Sequence, residues 1–172
     1  MKWVAIGGGW RKTNSKLEND VRKTVKEIIS RGDGIISGGA PGVDYFAVDE
    51  ALKHNLGAER IKIFLPTSLK FYIQHTKSRA EQGVLDKDSA EAVIKQLVAI
   101  QKTSPSSIIE GKDVEGNKHV EKRQYYERNS LIISAADELI AFHVNESKGT
   151  KDAIDKAKAM KIPLKIFSYT ID

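Results

Sequence analysis

The 172-residue chain contains no cysteine. That absence excludes disulfides and cysteine-ligated zinc or iron–sulfur sites, and it favours a reducing compartment. No stretch approaches the roughly 18 apolar residues that a membrane-spanning helix requires, so no membrane partner is expected. The apolar run at the start, Trp3-Val4-Ala5-Ile6, is too short for a secretory signal. A cytoplasmic location is the expectation. Catalytic and metal signatures are missing as well. There is no G-x-x-x-x-G-K-S/T phosphate loop and no G-x-S-x-G elbow. Gly7-Gly8-Gly9 does not extend to G-x-G-x-x-G, because Lys12 takes the last glycine's place. His54, His75, His119 and His143 are isolated, with none at the i, i+4 spacing of a helical metal pair. Glu110, Asp113, Glu115 and Glu121 read as solvated charge. No metal ligand and no catalytic residue is assigned.

Apolar residues make up 40% of the chain and charged residues 30%, the balance of a water-soluble globule. Its length suits one domain with a substantial core and not two ordinary ones. The net charge of +5 is compatible with a polyanionic partner. Many of the cations lie one turn from an acid, as in Glu18/Arg22 and Glu27/Arg31, which is the pattern of a solvated helix face.

Short apolar strands ending in glycine or proline alternate with amphipathic helices. Trp3–Ile6 reads as a strand. Ser15 and Glu18 have capping-box spacing, ahead of a helix with Leu17, Val21, Val25, Ile28 and Ile29 on one face. Ile35-Ile36-Ser37 predicts a second strand, and Asp44 to Leu56 a helix that buries Phe46, Val48, Ala51 and Leu52 before the stop at Gly57. Ile61–Leu65 predicts a third strand. Between residues 67 and 122 the spacing supports one helix, Asp88 to Lys102; Ser104–Ser107 and Glu110–Lys118 read as loop, and part of the span is expected to be a helical insertion or lid. Beyond it the pattern predicts a helix near Tyr126–Ala136, a strand Glu138–Val144, a helix Thr150–Met160 and a strand Leu164–Ser168. Strands joined through helices imply a mainly parallel sheet with helices on both faces, a Rossmann-like three-layer α/β/α fold.

Three turns could hold an anion. Ser37-Gly38-Gly39-Ala40-Pro41-Gly42-Val43-Asp44 joins a strand to a helix, where backbone N–H groups and the helix dipole favour phosphate. Gly38 and Gly39 lack the Cβ that would fill a phosphate oxygen's space, and Gly42 lets the helix approach the strand. Asp44 has the place of an N-terminal cap or first-turn residue; alternatively its carboxylate accepts from ribose hydroxyls or holds the loop. Gly8 and Gly9 end the first strand, where a doubly wound sheet opens its crevice. Trp10, Arg11 and Lys12 beside them could stack on a base or meet phosphates. Gly149 and Thr150 open the helix after the Glu138–Val144 strand. Arg128 offers a fork of donors to phosphate, and Asn129 can read donors and acceptors.

Taken together, these motifs resemble the DNA-processing protein A family. The glycine motif Ser37–Asp44 with Ala47, Ala51 and Leu52 is similar to that family's. So is Arg128-Asn129-Ser130-Leu131-Ile132-Ile133 with Asp137, and so is the final loop Glu146-Ser147-Lys148-Gly149-Thr150. The wider group is the SLOG superfamily, which includes the Lonely Guy phosphoribohydrolases. The resemblance covers residues 1–66 and 123–172. It implies a Rossmann-like fold with a site for a nucleotide-like ligand or single-stranded DNA. Pro41 stands where the family usually carries Arg, and Val48 where it usually carries His, which weakens a direct transfer of the family's recombination function. The Lonely Guy signature Pro-Gly-Gly-x-Gly-Thr-x-x-Glu is absent, and Ala153 stands in place of its catalytic Glu. The expected function is therefore binding or sensing of a nucleotide-derived small molecule, without catalysis and as a homo-oligomer. The alternatives are single-stranded DNA binding of the DNA-processing type and hydrolysis of a nucleotide or its N-glycosidic bond.

Overall fold

A computed structural model describes all residues, 1–172. It contains β1 (Trp3–Gly8), α1 (Ser15–Ser30), β2 (Gly34–Ser37), α2 (Val43–His54), β3 (Ile61–Phe64), α3 (Leu69–Glu81), α4 (Lys87–Thr103), β4 (Ile108–Ile109), α5 (Lys122–Ala135), β5 (Glu138–Val144), α6 (Lys148–Ala159) and β6 (Leu164–Tyr169). The strands form one six-stranded sheet in the order β4-β3-β2-β1-β5-β6. Every pair in it is parallel. The chain builds outward from β1 to β4, then returns to the other side of β1 as β5. The β1/β5 seam is thus the switch point, the place where doubly wound sheets open a crevice beyond their strand ends.

Two layers of helices cover the sheet because alternate strand residues face opposite sides. Val4 and Ile6 of β1 join Ile35, Ile63 and Phe142 in a core closed by α1, α2 and α4. Ala5, Ile36, Leu139 and Ala141 face the other way and meet Ile132 and Ile133 of α5 and Ile154 and Ala157 of α6. The α1 face is as the spacing predicts: Leu17, Val21, Val25, Ile28 and Ile29 are all buried. Its cap is Asn14, whose side chain accepts from the Leu17 N–H, so the Ser15/Glu18 box does not form. The capping box sits instead at the start of α5, between Glu121 and Gln124, four residues ahead of the expected helix start. Phe46 and Leu52 of α2 are half-buried against the core, because the inner face runs through Val43, Ala47, Val48 and Ala51.

The 67–122 span holds two helices, α3 and α4, and carries more order than its spacing signals. Helix α4 places Val93, Leu97 and Ile100 in the main core, and Ile108–Ile109 adds the edge strand β4. Helix α3 has a weak apolar pattern, and its buried residues include His75 and Thr76. It is held by polar contacts over the sheet's carboxyl edge: Tyr72 donates its hydroxyl to the Gly39 carbonyl at 3.1 Å, and His75 accepts from the Val120 N–H at 3.1 Å. No helix is long and apolar enough to cross a membrane.

Phe142 lies fully buried at the seam and stacks on Phe167, with centroids 5.1 Å apart and planes 7° from parallel. Phe142→Ala is expected to lower stability by about 3–5 kcal/mol, measured by urea unfolding; a loss below about 1 kcal/mol would show that the β5–β6 edge is not part of the cooperative core.

Candidate functional site at the carboxyl edge of the sheet

Parallel strands put every strand-to-helix turn at one edge, so the sequence-distant glycine loops meet there. Gly42 is the N-cap of α2 with φ +76°, a backbone region that penalises a Cβ. A Cβ there would come 2.5 Å from the Gly9 carbonyl and 2.9 Å from the Trp10 Cα. The same Gly9 carbonyl accepts from the Val43 N–H at 3.1 Å. The loops after β1 and β2 are therefore in direct contact, and glycine at 42 is what lets them close. Gly8 packs equally tightly, with its Cβ position 2.7 Å from the Phe142 carbonyl and from Val43.

The two neighbours on α5 diverge by about 100° around the helix axis and reach different loops. Arg128 Nη1 donates to the Gly38 carbonyl at 2.5 Å. Asn129 Nδ2 donates to the Gly149 carbonyl at 3.3 Å and to Asp152 Oδ2 at 3.0 Å, at the start of α6. The two side chains are themselves linked, Arg128 Nε donating to Asn129 Oδ1 at 3.3 Å. The Arg128 guanidinium also lies 5.5 Å from the centre of the Tyr125 ring. That tyrosine's hydroxyl is 3.3 Å from His75 Nε2. Because His75 Nδ1 accepts from a backbone N–H, Nε2 carries the ring proton and faces Tyr125 as donor. Burial lowers the His75 pKa to about 4, with Arg79 and His119 adding to the shift, so the ring is neutral. Sequence reasoning passed over Tyr72 and Tyr125 and read His75 only as an isolated histidine; Tyr72 and His75 are buried on the weakly patterned α3, and Tyr125 is half-buried on α5.

Asp44 is buried, and its Oδ2 accepts from the Ala40 N–H at 3.1 Å. Desolvation pushes its pKa up to about 6, against the pull of Arg128 and of the loop N–H groups. Its geometry is that of a carboxylate holding the glycine loop. Ser37 is fully buried at the end of β2. One expectation needs correcting. A Cβ at Gly39 would not take a phosphate's space: it would point into the core, 2.8 Å from Leu65 and 3.0 Å from Ile63, from a φ of +71°. At Gly38 the Cβ would meet the Arg128 guanidinium at 2.5 Å. Gly149 is exposed with nothing near its Cβ position, and Thr150 is buried with its hydroxyl 2.9 Å from Ser147 Oγ. Asn145 and Glu146 both hold left-handed φ angles, 50° and 52°, in the turn that aims this helix. Strained residues of this kind persist where the surroundings fix them. Asn145 is fixed by a reciprocal pair with Ile171: its Nδ2 donates to the Ile171 carbonyl at 2.7 Å, and its Oδ1 accepts from the Ile171 N–H at 2.8 Å.

These features define a Rossmann-like parallel α/β protein whose glycine loops are cross-braced by an Arg-Asn pair. The model of the DNA recombination-mediator protein A family matches residues 2–171, and the chain belongs to that family. Among solved structures it is similar to DNA processing protein A from Helicobacter pylori, a protein described for its single-stranded DNA binding mode. That likeness has a TM-score of 0.66 and 22% identity, over 96% of this chain and 64% of that one. DNA processing protein A from Streptococcus pneumoniae is similar with a TM-score of 0.52 and 16% identity, over 95% of this chain and 58% of that one. The chain therefore spans less than two thirds of either protein. No curated protein matches it in sequence.

Two outcomes check the brace. In the folded chain Asp44 keeps its proton to about pH 6, whereas its ordinary value is 3.8. Between those values only the folded state holds that proton. The contribution is full below pH 3.8 and is lost as pH rises through about 6. Urea unfolding midpoints are expected to fall across that window and to flatten in Asp44→Asn; an unchanged slope in the variant would place the titration elsewhere. Arg128→Ala is expected to cost about 1.5–3 kcal/mol of stability, because it removes a charge-assisted hydrogen bond, and to move the Asp44 inflection upward. Gly39→Ala is expected to lose stability through core strain.

Proposed function

We propose that this chain binds single-stranded DNA along the carboxyl edge of its sheet, in the manner of a recombination mediator. The observation that supports this best is the Trp10-Arg11-Lys12 segment at the mouth of the β2–α2 loop, in a chain of this family. Trp10 is 38% exposed, and the Arg11 guanidinium stacks 4.5 Å from its ring centre. Arg11 and Lys12 are exposed and take part in no ion pair, and Lys148 at the start of α6 is free in the same sense. An exposed aromatic face beside unpaired cations is the chemistry of single-strand binding: bases stack while lysine and arginine displace phosphate counterions. The departure at Pro41 fits this division of labour. Pro41 is buried and presents no cation, so the charge comes from the loop after β1. Val48 is packed in the core.

This reading takes precedence over a free nucleotide-derived ligand because the family and the solved relatives favour it. A cavity of about 640 Å³ beside Gly42 keeps the small-molecule reading second. Hydrolysis has less support, since Asp44, the buried carboxylate of the site, is engaged in holding its loop. A cytoplasmic location and self-association belong to the same proposal, and light scattering of the purified chain measures the latter.

The test is fluorescence anisotropy with a labelled oligo-dT at increasing salt. Affinity is expected to fall linearly on a log–log plot. Lys12→Ala or Lys148→Ala should each reduce the slope by about 0.7, and Trp10→Ala should cost about 1–3 kcal/mol at every salt concentration. Binding that ignores salt and these substitutions would overturn the proposal.

A further inference from the structure

The cavity of about 640 Å³ lies between the Trp10–Thr13 segment, the start of α2 and the α3–α4 connection. Its volume falls within the range of sites that bury most of a small ligand. Three kinds of group line it. Trp10, Tyr45, Phe46 and Leu85 supply flat or apolar walls, with Tyr45 and Phe46 set edge to face at 6.2 Å. Arg11 and Lys12 lie at the β1–α1 side. Asp86 and Asp88 lie at the α4 side. The two carboxylates are not equivalent. Asp86 caps α4, its Oδ2 accepting from the Ser89 N–H at 2.9 Å and from the Ser89 hydroxyl at 3.0 Å. Asp88, in the first turn of the same helix, has neither an ion pair nor a side-chain hydrogen bond. The cavity thus holds unpaired cations on one side and an unpaired, acceptor-only carboxylate on the other, without their neutralising each other.

We propose that this cavity receives a guanine nucleotide: the base against the aromatic wall, its Watson–Crick edge toward Asp88, and its phosphate toward Arg11 and Lys12. For a guanine carried within a DNA strand, the proposal rests on the strand-binding reading above. The selection follows from the donor pattern. A carboxylate only accepts, and guanine presents two adjacent donors, N1–H and the N2 amino group, to its two oxygens. Adenine and cytosine offer a single amino group beside ring acceptors. Thymine offers one N–H between two carbonyl oxygens, which a carboxylate repels. Edge reading of an unstacked base against aromatic side chains is how single strands are read sequence-specifically. A matched bidentate contact discriminates against a base that lacks the second donor.

The experiment compares three labelled oligonucleotides by anisotropy at about 0.15 M salt: oligo-dT, the same strand with one central dG, and the same strand with deoxyinosine there, which keeps N1–H and lacks the N2 amino group. Native protein is expected to bind the dG strand about tenfold more tightly than oligo-dT, with deoxyinosine forfeiting most of that gain. Asp88→Asn, at an exposed helix position with its fold checked by thermal melt, should bring the dG and oligo-dT affinities together. Guanosine monophosphate is titrated separately by calorimetry. Binding of guanosine monophosphate without binding of any strand would support the cavity's ligand, make the free nucleotide its source and sink the strand reading. Equal binding of dG and oligo-dT by the native protein, or a preference that survives Asp88→Asn, would overturn the guanine site and leave the strand reading standing. The deoxyinosine comparison needs no variant, so it decides even if Asp88→Asn fails to fold.

Discussion

Arg128 and Asn129 hold the site together. One guanidinium satisfies the carbonyl of Gly38, one carboxamide satisfies the carbonyl of Gly149, and the two side chains are joined to each other. Two loops whose bonded glycines are 111 residues apart in the chain are thereby fixed relative to one helix. Backbone carbonyls at the ends of parallel strands have no ladder partner, and a buried one left unpaired costs about 1–3 kcal/mol. Arg128 and Asn129 meet two of these carbonyls, while the Ala40 and Val43 N–H groups of the β2–α2 loop donate to Asp44 and to the Gly9 carbonyl.

The charges around this brace are arranged by depth. Asp44, below the loop, is desolvated, which raises its titration, with Arg128 and the Ala40 N–H drawing it back toward the charged form. The cations Arg11, Lys12 and Lys148 are exposed, where water lowers the cost of leaving them without an ion pair. Helix α3 closes the edge from the β3 side through the Tyr72–Gly39 and His75–Val120 contacts, so the open approach to the loops lies toward β1 and β5.

Glycine serves different purposes at neighbouring positions. Gly42 is required by contact between two backbones, Gly39 by its left-handed φ and by the core beneath it, and Gly38 by the guanidinium beside it. A glycine-rich loop is read in sequence as a cradle for a ligand, but part of its composition here is needed before any ligand arrives. Gly149 is exposed with nothing near its Cβ position, and its carbonyl is taken by Asn129.

The sequence by itself determined the class of fold, the apolar face of α1, and the meeting of three glycine turns at one edge. Each of these follows from local rules: a period of two or 3.6, a glycine where a strand must turn, and the fact that helical crossovers force strands to run parallel. It also carried the family motifs that the match over residues 2–171 bears out. Tertiary structure alone decided the rest. Asn14 rather than Ser15 caps α1 because the chain's approach to the helix places that side chain over the Leu17 N–H. Helix α3 has no periodic signal because tertiary hydrogen bonds from Tyr72 and His75 hold it where an apolar stripe would otherwise be needed. The direction of a Cβ at Gly39, the depth of Asp44 and the partners of Arg128 depend on elements that contribute nothing to the local sequence. Sequence spacing reports which residues share a face, and only packing reports what that face meets.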